Sequence, residues 1–270
     1  IYYMDVVTVG TSNEGYYDLL VESCEKNHIQ LKNLGYNKEW KGFTMRFDLL
    51  NEYLLTLPDN RVVMFIDAYD VIILKDSNTI LKTFYGFKKD IVFGNQSSFL
   101  TNISFYQCKH NVYNGGSYIG YAKYLKQLLS IVYQPELIDK FNKDDQQIIN
   151  YQCNQPKYKE FFDNHTTCDT MNKLFYITDS QTFCSFNYLL FGELNVPKDT
   201  CVLHLAGSVN GNKYLSDLGY DVSKVKDINI LFKLKQFLNI NRKLFLFIVI
   251  IICVFIYLFF HMIHKILQKI

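Results

Sequence analysis

Val62-Val-Met-Phe-Ile66 is continuously apolar and runs directly into Asp67-Ala-Tyr-Asp70-Val-Ile-Ile73. A run without alternation suits a strand covered on both faces, as in a parallel sheet flanked by helices. Its end delivers two carboxylates three residues apart. In open α/β sheets ligands gather beyond the carboxyl ends of strands, which makes this end a candidate site. Two Asp could hold a hard divalent cation directly or through water, and the cation could neutralise a phosphate. The plainer alternative has Asp67 capping the next element and Asp70 in solvent. Apolar residues on both sides weigh against it, because an unpaired carboxylate there is costly.

Working outward, Asp5 to Val9 predicts a strand, Gly10 to Gly15 a small-residue turn, and Tyr16 to Asn27 a helix. Helical spacing recurs from Phe47 to Thr56, Ala122 to Tyr133 and Gln146 to Tyr151, with further strands at Ile91 to Phe93 and Tyr118-Ile119. Strands alternating with helices predict an α/β sheet in one domain.

His204 follows the apolar run Cys201-Val-Leu and precedes small residues, so it is a third ligand candidate, although a lone His on such a strand is also a common core residue. Two Asp with one His would favour Mn2+ over Mg2+, since imidazole suits the softer first-row ions. Downstream, Lys213 could reach a diphosphate, with Gly207 and Gly211 allowing close backbone approach. Asn114-Gly115-Gly116 reads either as a turn or as backbone lying against a ligand. Asp144-Asp145-Gln146 opens a helix, so an Asp there is either an N-cap or a group meeting sugar hydroxyls and the anomeric carbon. The chain holds no Walker loop, G-x-S-x-G elbow or H-E-x-x-H.

The 270 residues carry 28 Lys+Arg against 26 Asp+Glu, a net charge of +2, and 49% are hydrophobic. That balance argues against a nucleic-acid partner. It also conceals a segregation. Leu244 to Phe260 contains no charge, amide or Gly. As a helix it spans about 25 Å, and extended to Ile263 it approaches the roughly 30 Å hydrocarbon core of a bilayer. Residues 244–263 are therefore expected to be a single-pass C-terminal anchor in an endomembrane such as the endoplasmic reticulum, preceded by a basic connector over residues 223–243. The last thirty residues hold Arg242, Lys243, Lys265 and Lys269 and no acid, so removing those four leaves 24 basic against 26 acidic groups.

Orientation stays open. The basic residues before the span outnumber those after it, which places the globular part on the cytoplasmic side. The chain begins with Ile1, which leaves room for a preceding signal, and the sequons at Asn95, Asn102 and Asn164 do not settle the side. Seven Cys without a C-x-x-C pair exclude a familiar structural zinc pattern and permit disulfides without demanding them. Cys201 is expected to be a buried thiol.

Taken in order, Thr8-Val-Gly-Thr11, Leu34-Gly-Tyr-Asn-Lys-Glu-Trp40-Lys-Gly42, Phe65-Ile-Asp67-Ala-Tyr69-Asp70, Asn114-Gly-Gly-Ser-Tyr-Ile-Gly120, Asp144-Asp-Gln146 and His204 resemble the glycosyltransferase domain of the procollagen lysyl hydroxylases and related giant-virus glycosyltransferases. The resemblance covers Val6 to Tyr220 and implies a GT-A-type (Rossmann-like) fold over residues 1–222, a Mn2+ ion and a UDP-sugar donor such as UDP-glucose or UDP-galactose. By position it implies Asp67, Asp70 and His204 as metal ligands, Tyr69 and Thr11 at the nucleotide, and Lys213 at the diphosphate. Asn114, Gly115 and Gly116 would line the donor, and Asp144 and Asp145 would face the transferred sugar and a protein or glycan acceptor. The sequence departs from the family pattern between Gly42 and Arg46, at Asn95 to Leu100, and between His204 and Lys213.

Two alternatives accompany this expectation. One is a degenerate, membrane-tethered protein that binds sugar or nucleotide without turnover. The other is a phosphotransferase of the haloacid-dehalogenase kind, which needs two Asp at a spacing of two where this chain has three. Composition leaves the oligomeric state open.

Overall fold

β3 (Val62–Ile66) forms where the apolar run lies, and its side chains alternate between two cores. Val63 and Phe65 pack with α2 (Met45–Leu55), α5 (Ala122–Val132) and α7 (Asp145–Cys153) on one face. Val62, Met64 and Ile66 pack toward α1 (Tyr17–Lys26) and α3 (Ser77–Gly86) on the other. Every residue of β3 is buried, which is why the run shows no polar position.

The computed structural model describes residues 4–178, 186–206 and 209–226, together with Val254 and Tyr257. The remaining strands are β1 (Met4–Thr8), β2 (Leu31–Asn33), β4 (Val71–Ile73), β5 (Ile91–Asn95), β6 (Tyr113–Tyr121), β7 (Thr166–Asp169), β8 (Phe175–Ile177) and β9 (Val202–His204). The remaining helices are α4 (Phe99–Ser104), α6 (Pro135–Lys140), α8 (Lys159–His165), α9 (Phe186–Phe191) and α10 (Asn212–Asp217). A six-stranded sheet has the order β2-β1-β3-β6-β5-β7, and a three-stranded sheet the order β4-β9-β8.

The expectation of a parallel sheet needs correction. β1 is parallel to β2 and β3, and β5 to β7, but β6 runs antiparallel between β3 and β5. The apolar run reports that both faces are covered; it carries no information on strand direction. The fold is mixed α/β.

A disulfide joins Cys108, after α4, to Cys153 at the end of α7, with Cα atoms 5.5 Å apart and a sequence separation of 45. Closing a loop of that length restricts the unfolded chain, so Cys108→Ser is expected to lower stability by about 3 kcal/mol. Urea titration would show the loss, and the difference from wild type should vanish once both are reduced. Cys24, Cys168 and Cys201 are free and buried, Cys201 as expected.

The chain divides into two compact units, Ile1–Asp227 and Ile228–Ile270. Of the second, only Val254 and Tyr257 are described, and both are helical. Most of the expected connector and nearly all of the expected anchor thus lie outside the described residues. Among the described residues, no helix is long and apolar enough to cross a membrane.

Candidate functional site

The chain passes from the large sheet to the small one through Asp67-Ala68-Tyr69-Asp70, between β3 and β4. Asp67 extends the pairing of β3 with β6 by donating its N–H to the Gly116 carbonyl at 2.8 Å. Asp70 stands beside β9, its carbonyl accepting the Leu205 N–H at 2.7 Å, and Val71 is opposite His204. Strand register therefore gathers three side chains that are far apart in sequence. Ligand atoms of Asp67, Asp70 and His204 all lie within 4.8 Å of one another.

His204 is only 2% exposed. Its Nε2 lies 3.3 Å from Asp70 Oδ1 and 3.6 Å from Asp67 Oδ2. Its Nδ1 is 2.9 Å from Ser117 Oγ. With Nδ1–H donating to Ser117, the Nε2 lone pair faces the carboxylates, the arrangement a metal-binding imidazole requires. Two carboxylates and one imidazole at this separation fit a first-row divalent cation. Burial opposes the charged imidazolium, but Asp70 and Asp67 outweigh it and hold the His204 pKa above its usual value. Metal must displace that proton, so affinity is expected to rise with pH.

Arg46, on α2, is the residue that sequence reasoning missed. It is 6% exposed and sits among buried Met45, Phe47, Leu49 and Leu50. Its Nη1 donates to Asp67 Oδ1, and its Nε lies 3.4 Å from Asp145 Oδ2. The Phe43 ring is 4.5 Å from the guanidinium carbon. No local signal marked it: α2 also carries Asp48, Asn51 and Glu52, so a charge near its start reads as an exposed position.

Asp144 and Asp145 occupy the start of α7. Asp144 is the N-cap, its Oδ1 accepting the Gln147 N–H at 3.0 Å. Burial pushes its pKa up to about 6. Burial pushes Asp145 up to about 7, against the opposing charge of Arg46. A carboxyl whose pKa is higher folded than unfolded loses stability as pH rises between the two values. Asp144→Asn keeps an N-cap acceptor and removes the buried charge. We expect it to gain about 1–2 kcal/mol at pH 8, a gain that disappears near pH 3.5 in urea titrations.

Asn114-Gly115-Gly116 lies within β6 and is not a turn. Gln146 Oε1 accepts the Gly115 N–H at 3.0 Å and Asn114 Nδ2 at 3.2 Å, while Asn114 Oδ1 accepts the Gly116 N–H at 2.9 Å. Gly116 is required for space, and Gly115 is tightly packed. A Cβ on Gly116 would lie 2.0 Å from Asp67 Oδ2, and one on Gly115 would lie 3.1 Å from Asp145 Oδ1. These residues, Arg46 and the two acidic clusters therefore form one connected group.

Thr11 and Tyr69 form a second group. Tyr69 Oη accepts the N–H groups of Thr11 at 2.8 Å and Ser12 at 3.1 Å, pinning the turn after β1. Tyr16 links this turn to the approach to α10. Its N–H donates to the Tyr69 carbonyl at 2.8 Å, and its Oη accepts the Gly211 N–H at 3.1 Å and donates to Asn212 Oδ1 at 2.8 Å. Lys213 follows on α10, its Nζ 2.9 Å from the Phe191 carbonyl and 3.2 Å from Glu193 Oε1. It lines a cavity of about 380 Å³ with Tyr188, Gly192, Asn210 and Asn212. Gly207, expected to flank it, lies outside the described residues.

A mixed α/β domain of this kind has the fold of GT-A glycosyltransferases. The galactosyltransferase LgtC, solved in complex with donor and acceptor sugar analogs, superposes with a TM-score of 0.51 at 11% identity, over 86% of this chain and 99% of that one. Residues 2–175 match the model of the PLOD GT domain, and the chain belongs to that family. A multifunctional procollagen lysine hydroxylase and glycosyltransferase from Caenorhabditis elegans is 27% identical over 161 residues, 53% of this chain. The alignment spans only 21% of that relative's length. The family match ends before β9, so it is the folded geometry that brings His204 to Asp67 and Asp70.

Proposed function

We propose that the domain is a metal-dependent glycosyltransferase moving a hexose, glucose or galactose, from a UDP-sugar to a hydroxyl of a protein or glycan acceptor, with hydroxylysine-linked glycans among the candidates. The cluster of Asp67, Asp70 and His204 carries this reading, because ligands from two sheets meet at a strand end. Those three side chains would hold the ion, for which Mn2+ suits the donor set better than Mg2+. A bound ion would supply the positive charge that makes a nucleoside diphosphate a better leaving group.

The chain's own groups divide the remaining work. Thr11 and Tyr69 would bound the nucleotide, and Lys213 would meet the diphosphate after exchanging Glu193 for it. Backbone at Asn114, Gly115 and Gly116 would pass close to the donor. Asp144 and Asp145 would face the sugar and acceptor. With its pKa pushed up to about 7, Asp145 can accept a proton from a hydroxyl and hold it near neutral pH.

A domain that only binds could use the same ligand set, and the buried carboxyl of Asp145, placed to take a proton near neutral pH, is what favours turnover. Residues 244–263 complete the proposal as a bilayer anchor in an endomembrane. The Cys108–Cys153 disulfide supports an oxidising, non-cytoplasmic side for the domain, against the count of flanking basic residues. Calorimetry of UDP with the full chain tests the assignment. UDP is expected to bind at least about tenfold tighter with Mn2+ than with chelator. No binding of UDP in the presence of Mn2+ would contradict it.

A further inference from the structure

Arg46 touches two acidic residues that the proposed function gives to different tasks. Its Nη1 occupies Oδ1 of Asp67, so Oδ2 is the oxygen left toward His204, 3.6 Å away. On its other edge, Nε lies 3.4 Å from Oδ2 of Asp145. The Phe43 ring closes one side at 4.5 Å, and the Arg46 side chain is 7% exposed. A planar guanidinium held on these sides cannot follow one carboxylate without loosening its hold on the other. Away from water each of these charge interactions is strong, and losing a partner is costly.

We propose that Arg46 is a positioning residue that couples the metal centre to Asp145. It presents a single oxygen of Asp67 to the cation, and how tightly it holds Asp67 depends on the charge at Asp145. The inference rests on the metal-dependent reading above and goes beyond it: a carboxylate that does not ligate the cation sets the cation's affinity. Removing the Asp145 charge leaves the whole guanidinium charge to Asp67, which weakens cation binding. Without the guanidinium, the same change acts only through distance.

The test is a double-mutant cycle on the full chain, with Mn2+ alone as the probe and unbound Mn2+ read from its electron paramagnetic resonance signal. Asp145→Asn is expected to weaken Mn2+ binding by about tenfold when Arg46 is present, and by about twofold or less in the Arg46→Met background. Equal fold-changes in the two backgrounds would overturn the proposal, because a merely structural Arg46 gives additive effects. If Arg46→Met fails to fold, Arg46→Lys carries the test. Lysine keeps the charge but lacks the planar fork, so the Asp145→Asn effect should shrink there as well, and an undiminished effect overturns the proposal. A wild-type chain that binds no Mn2+ overturns the metal-dependent reading instead.

Discussion

Asp70→Ala is expected to lower Mn2+-dependent release of UDP from a UDP-sugar by at least about a thousandfold, since charge stabilisation by a metal is worth several kcal/mol. Asp70 is the partner of His204 at 3.3 Å, and its removal takes one of the three ligands out of a 4.8 Å cluster. The fold should survive, because the Asp70 carboxylate is partly solvent-exposed while its backbone carbonyl still accepts the Leu205 N–H. Circular dichroism would confirm that, and UDP release measured beside wild type would give the ratio. An Asp70→Ala chain keeping more than about a tenth of the wild-type rate would remove the metal from the account.

Gly116→Ala is the second change with a large expected effect, and it adds only a methyl group. The new Cβ would lie 2.0 Å from Oδ2 and 2.3 Å from Cγ of Asp67. Neither partner can yield easily. The Asp67 N–H is bonded to the Gly116 carbonyl, and Oδ1 is held by Arg46. The strands are also in register through Ile66 opposite Ser117. Overpacking of this kind costs about 2–3 kcal/mol. We expect that loss in urea titrations together with loss of Mn2+ binding. Gly115→Ala is the comparison, because its Cβ would stand 3.1 Å from Asp145 Oδ1 and can be accommodated by a smaller shift. Mn2+ binding unchanged in Gly116→Ala would contradict the placement of Asp67 as a ligand.

The parts of this site that lie along one segment were legible in the sequence. β3 and the two carboxylates after it could be read together, because apolar residues flank Asp67 and Asp70 on both sides and make unpaired carboxylates there costly. His204 was visible only as a candidate: its partners are set by pairing of β9 with β4, a contact across more than a hundred residues that no local pattern encodes. Arg46 stayed hidden for the same reason. Its two carboxylates come from β3 and α7, and nothing next to it in sequence announces them. Asn114-Gly115-Gly116 could be read as a turn or as backbone lying against a ligand, because Gly permits either. Here the glycines sit in a buried strand and are small because carboxylates lie against them. The antiparallel direction of β6 was equally unreadable, since burial on both faces leaves the same apolar signature in either direction.

Metal dependence is decided by UDP release from UDP-glucose and UDP-galactose by the full chain near pH 8, with chelator and then with Mn2+ restored. Release is expected with at least one of the two donors, stopping in chelator and returning with Mn2+. Release that is indifferent to chelator, or none from any UDP-sugar with Mn2+ present, would contradict the metal-dependent reading.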